Sequence, residues 1–173
     1  MFDIEKCVVP ANALLDAYSM DGNYVDCYTT EVSGQISLAE FIFAFYTTFI
    51  FKVERFILQW TVNKPSTDVD ARQLAEHAAE RFAAWRVENR SESEILMCDF
   101  VERTRSWLMV VPDGTRTRLY FGSAVVPARN SNHEKPTLEF RFRALLGFHK
   151  IYSVMLLYFA ALRLRSQMKK ENI

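Results

Sequence analysis

Residues 103–126, RTRSWLMVVPDGTRTRLYFGSAVV, decide the fold. Arg103, Arg105, Trp107, Met109 and Val111 alternate with Thr104, Ser106, Leu108 and Val110. This period of two is that of a β-strand. Pro112-Asp113-Gly114 is hairpin turn chemistry. Beyond it the alternation resumes, with Thr117, Leu119, Phe121, Ser123 and Val125 on one face. Two consecutive antiparallel strands follow. Working backward, 85–90 and 94–101 read as strands separated by the turn residues Asn89-Arg90-Ser91-Glu92, so four strands form a meander. Further upstream, 24–33 (YVDCYTTEVS) is a fifth strand.

Helices surround this meander. Ser37-Leu38-Ala39-Glu40 is a capping box, in which the serine hydroxyl takes a free amide and the glutamate reaches back. It predicts a long, largely buried helix over about 38–60. Thr67 with Asp70 is a second cap, and Leu74, Ala78, Phe82 and Trp85 form the apolar stripe of an expected helix 69–85. A polar loop, 127–137, precedes a last helix over about 140–169. Its stripe holds Leu145, Phe148, His149, Tyr152, Met155, Leu156, Phe159 and Leu162. A single antiparallel sheet needs an apolar cover on one face, and the last helix supplies it.

The chain has 173 residues, 50% hydrophobic and 14% aromatic, which excludes disordered and low-complexity classes and indicates one domain, 1–173. Twenty-one basic side chains balance twenty-one acidic ones, so the chain is not built to coat nucleic acid. The balance is uneven along the chain. Residues 1–50 carry seven acids against Lys6 alone, whereas 139–173 carry seven bases against Glu139 and Glu171. The apolar runs 41–51 and 151–162 are about twelve residues each, and a membrane span needs roughly twenty, so no integral membrane segment is expected. Cys7, Cys27 and Cys98 are odd in number and form no CxxC pair. They read as reduced thiols in a cytoplasmic protein without a zinc site.

The order strand, helix, helix, four strands, long helix resembles the START-related lipid-transfer superfamily, also called SRPBCC or helix-grip proteins. The resemblance covers about residues 20–168. The stretches RTRSWL (103–108), YFGSAVV (120–126) and LLGFHKIYS (145–153) look like a small bacterial branch of it. The resemblance implies an α+β fold in which a curved antiparallel sheet grips a long C-terminal helix, with two helices after the first strand. It also implies a hydrophobic pocket for a small apolar or amphipathic ligand between the sheet and that helix.

No nucleophile elbow, GxGxxG, P-loop or H-E-x-x-H is present, and no cofactor or metal is expected. His149 stands inside an apolar stripe, so it either satisfies a core partner or faces a pocket. Arg105 beside Trp107 on one strand face is suited to an anionic head group over an aromatic wall, if that face is not simply solvated. His149, Tyr152, Trp107, Arg105 and Phe121 are therefore the candidate ligand-binding residues. Asp26 and Asp99 are read chiefly as salt-bridge partners for arginine, and Ser123 as a small packing residue. Two alternatives to ligand binding stand: a homodimer formed by the aromatic-rich helices, and a lyase, cyclase or hydrolase of the same fold using His149.

Overall fold

The computed structural model describes residues 3–20, 23–53, 66–126 and 136–171, with side chains described except at Met20, 136–149 and 170–171. The fold is α+β. Seven antiparallel strands form one open, curved sheet in the order β1-β2-β7-β6-β5-β4-β3. They are β1 Glu5–Lys6, β2 Tyr24–Ser33, β3 Arg81–Phe82, β4 Trp85–Arg90, β5 Glu94–Asp99, β6 Thr104–Asp113 and β7 Arg116–Val125. The helices are α1 Asp16–Met20, α2 Leu38–Tyr46, α3 Asp68–Ala75 and α4 Pro136–Glu171. The long α4 packs on the sheet, mainly against β2.

The central hairpin is the one the alternation predicts. β6 and β7 pair from Thr104 opposite Val125 to Asp113 opposite Arg116, closed by Gly114 and Thr115. Gly114 has φ +61°, the left-handed conformation that a primed two-residue turn demands at its first central position. β2 joins the other edge of β7 in full register, from Tyr24 opposite Val125 to Ser33 opposite Arg116.

Both faces of the sheet are covered. On the helix face, Tyr28, Val32, Leu108, Val110, Leu119 and Phe121 pack with α2, α3 and the 156–164 stretch of α4. Here the Phe45 and Phe121 rings lie 4.7 Å apart. On the outer face, residues 7–20 form a strap over a second, smaller core of Leu15, Cys27, Leu96, Trp107, Met109 and Ala124. Gly122 makes that strap possible. A Cβ there would stand 2.5 Å from the Leu15 side chain and 3.0 Å from both the Trp107 ring and the Asp26 backbone carbonyl.

Two sequence expectations are corrected. The helix expected over 38–60 ends at Tyr46. Thr47 and Thr48 donate their hydroxyls to the Phe43 and Phe45 carbonyls, and Thr48 Oγ1 accepts from the Phe51 amide at 3.2 Å. Side chains that bond their own backbone compete with the helical ladder and recap the chain, which resumes as helix at 49–53. The remainder of that expectation, 54–60, lies outside the described residues. The helix expected over 69–85 ends at Ala75, with Glu76 as its C-cap and His77 at φ +61°. Its second half is pulled into a hairpin, Phe82 opposite Trp85, because Phe82 is buried against Tyr46 and Phe51. Packing overrides the helical preference of an alanine-rich stretch. The sheet has seven strands, the five legible by alternation and the two-residue β1 and β3, which are too short to carry a periodicity.

Candidate ligand groove

Three helices converge beside the end of β2. Gly34, at φ +90°, turns the chain out of the sheet, and Thr117 staples the turn: its hydroxyl donates to the Gly34 carbonyl at 2.8 Å and accepts from the Ile36 amide at 2.9 Å. Ser37 then starts α2. Its capping box is complete: Glu40 Oε2 accepts from the Ser37 amide at 2.7 Å, and Ser37 Oγ accepts from the Glu40 amide at 3.2 Å. Thr67 and Asp70 do the same for α3. With Phe41, Ile42 and Phe45 turned into the core, α2 presents Ala39, Glu40 and Phe43 outward.

The outward residues of α2, together with Ile36, enclose a groove of about 270 Å³ with α3 and the end of α4. α3 contributes Arg72, Ala75 and Glu76, and α4 contributes Leu164, Gln167 and Met168. The lining mixes apolar side chains with Glu40, Arg72, Glu76 and Gln167. Two guanidinium groups lie over the Phe43 ring, Arg72 at 4.7 Å and Arg163 at 5.3 Å from its centre. Arg163 also donates to the Thr47 carbonyl at 3.0 Å, a cation at the negative end of α2. Among the described residues no carboxylate pairs with Arg72. Small-molecule sites join apolar lining to a few polar groups, and at about 270 Å³ this groove is just under their usual range of about 300–1,000 Å³.

The residues singled out by sequence are not gathered in one place. Phe121 is on the helix face, buried against Phe45, and Tyr152 is half-buried beside the same core. Trp107 and Arg105 are on the opposite face, so they cannot share a sheet–helix pocket with Phe121. The reason is pairing parity: Phe121 stands opposite Leu108, while Trp107 stands opposite Gly122. Nor is their face the solvated one. Trp107 is fully buried under the strap, its indole donating to Glu94 Oε2 at 2.7 Å, and the Leu14 amide donates to the same oxygen at 2.9 Å. Arg105 pairs with Glu88 at 2.9 Å, donates to Tyr18 Oη at 2.9 Å and lies over the Tyr18 ring. Tyr18 donates in turn to Glu88. Burial and the Glu88 carboxylate push the Tyr18 hydroxyl above its ordinary pKa. The His149 side chain lies outside the described residues.

Asp26 has no arginine partner among the described residues. It is 2% exposed on the helix face, accepts from Ser123 Oγ and is reached by Tyr24 Oη at 3.5 Å. Ser123 is thus a donor to a buried carboxylate rather than a mere spacer. Burial and then Asp26 push Tyr24 up to about 12. Asp99 accepts from the Arg103 and Thr104 amides at 2.7 and 3.1 Å, closing the β5–β6 turn. No cluster of three His, Cys, Asp or Glu suited to a metal occurs among the described residues. No described helix is long and apolar enough to cross a membrane. Sequence reasoning missed Phe43, Arg72 and Arg163 as a group. Its one usable signal was Arg72 standing off the apolar stripe of its helix.

Compared with models of known protein families, with curated proteins and with solved structures, the chain gives no match.

Proposed function

We propose that the protein is a binding module for a small amphipathic anion, held in the groove between α2, α3 and the end of α4. One observation carries this reading: Phe43 at the groove, with the guanidinium groups of Arg72 and Arg163 over its ring and Arg72 unpaired by any described carboxylate. An apolar body would cover Phe43, Met168 and Leu164, while its anionic end takes the Arg72 donors. The ligand class is the one the helix-grip resemblance implies, but the place is different. Between the sheet and residues 156–164 of α4 the space is filled by Leu156, Leu157, Ala160, Phe45 and Phe121.

The test is calorimetric titration with octanoate and with octanol. Octanoate is expected to bind more tightly than octanol, and Arg72→Gln should remove the difference without altering octanol binding. Absence of binding by both at millimolar concentration, or an octanoate affinity indifferent to Arg72→Gln, would sink the reading.

A second reading rests on a different surface. Ile151, Met155, Phe159 and Leu162 run along α4 at helical spacing and are 64%, 42%, 38% and 37% exposed. One continuous apolar stripe is self-complementary about a two-fold axis, which favours a homodimer of paired α4 helices. Sedimentation at several concentrations distinguishes the cases. A dimer that Met155→Glu converts to monomer supports pairing through this stripe, and a monomer at every concentration removes it.

A further inference from the structure

Cys7 and Cys27 face each other across the first ladder. Glu5 stands opposite Thr29 and Lys6 opposite Tyr28, so the next pair in register is Cys7 with Cys27. The Cys7 amide donates to the Cys27 carbonyl at 2.9 Å, continuing the pairing one residue beyond β1. Opposed residues of this hydrogen-bonded kind hold their α-carbons about 5.5 Å apart. That lies within the roughly 4.4–6.8 Å a disulfide spans. The side chains already point together: the two Sγ atoms share a hydrogen bond at 2.9 Å, against about 2.05 Å for an S–S bond. Both are free thiols, Cys7 half-buried and reachable from solvent, Cys27 buried beneath the strap.

We propose that Cys7 and Cys27 form a modification site, a dithiol that closes to a disulfide with glutathione disulfide as oxidant and so locks the strap onto the outer face of the sheet. The Cys7 thiolate attacks one sulfur of glutathione disulfide and expels a glutathione thiolate. Cys27 then attacks the Cys7 sulfur of the mixed disulfide and expels the second glutathione. The protein loses two electrons and two protons, and one glutathione disulfide becomes two glutathione thiols. Cys7 is the better attacker because its hydrogen bond with Cys27 holds its thiol below the usual range, while that same bond and burial push Cys27 up. The closed loop would contain Ala13 and Leu15, which cover Trp107, and Tyr18, which engages Glu88 and Arg105. Closing a loop of this length restricts the unfolded chain and stabilises the folded one. Cys98 is the internal control: it is buried on β5, three strands from β2 and so about 14 Å away by strand spacing.

The full chain is equilibrated in glutathione redox buffers, quenched in acid and treated with N-ethylmaleimide. Its peptides are then identified by mass spectrometry. The expected product links the Cys7 and Cys27 peptides, is two hydrogens lighter than the reduced pair and reverts with dithiothreitol, while Cys98 is alkylated only on unfolding. The unfolding temperature of the wild type should rise by several degrees on oxidation, and that of Cys7→Ser and Cys27→Ser should not. A persistent glutathione adduct on Cys7, a dimer linked between chains, or two thiols that remain alkylatable after exhaustive oxidation would each overturn the proposal.

Discussion

The two faces of the sheet are built from alternating residues of the same strands, yet they are buried in different ways. The helix face is closed by three helices and packs aromatic on aromatic: Phe45 against Phe121, Tyr46 against Phe51 and Phe82. The outer face is closed by one irregular strap. Its small apolar core is bordered by Glu94, which holds Trp107 and the Leu14 amide, and by the Tyr18, Glu88 and Arg105 cluster. A strand face that alternates arginine with tryptophan is therefore not a solvated face. The long arginine stem buries while its head finds a carboxylate and a tyrosine under the strap. The helix face is held mainly by ring packing, with the buried Asp26–Ser123 pair as its polar exception, whereas the outer face is bordered by paired polar groups.

That contrast can be broken by substitution. Phe45→Ala removes a ring at the centre of the helix face and should cost about 3–5 kcal/mol in urea unfolding, the range for a buried phenylalanine. A loss under 1 kcal/mol would mean the helix face is not the main core. On the outer face, Arg105→Met keeps the stem but leaves Glu88 without its cation. The expected cost is roughly 1.5–3 kcal/mol, the range for hydrogen bonds to a charged group. If Arg105→Met proved neutral, apolar contact rather than the ion pair would hold the strap.

Smaller effects sharpen the comparison. Thr67→Ala deletes the N-cap of α3 and should cost about 1 kcal/mol. A larger loss would show that α3 carries more of the helix face than its three buried residues suggest. Alkaline pH probes both faces, since Cys27 and Tyr18 on the outer face and Tyr28 on the helix face are pushed up along with Cys98 and Tyr24. Burial raises Cys98, on the outer face, from 9.0 to about 11, and Tyr24, on the helix face, from 10.0 to about 12. In both, the unfolded chain gives up its proton first. Stability is therefore whole below the ordinary value and falls as pH rises from there to the raised one. Urea midpoints should decline over pH 9–11 and 10–12. Cys98→Ala should make the first decline shallower and Tyr24→Phe the second, the remainder coming from Cys27, Tyr18 and Tyr28. An unchanged profile in either variant would assign the decline to other groups.

How far these faces were legible depends on range along the chain. The 103–126 hairpin and the 24–33 strand were readable because alternation and Pro-Asp-Gly act within a few residues. Ser37 with Glu40 and Thr67 with Asp70 were readable because a capping box spans four. The break at Thr47-Thr48 had a local cause too, but an apolar run on both sides concealed it. The 76–85 stretch was misread as helix because its alternative, Phe82 folding back beside Trp85, has value only against Tyr46 and Phe51 from a distant segment. The groove was invisible for a similar reason: Phe43, Arg72 and Arg163 belong to three helices and share no spacing.

The sequence alone determined the α+β class, the antiparallel meander, the capped starts of α2 and α3 and the presence of a covering C-terminal helix. Each follows from periodicity, turn chemistry or capping, all of which act between near neighbours. The tertiary structure decided that both faces are covered, that Trp107 and Phe121 lie on opposite sides, and that Cys7 meets Cys27. Those outcomes depend on which distant segment wins a given surface. That choice is set by the packing and hydrogen-bonding of the whole chain, and no window of residues contains it.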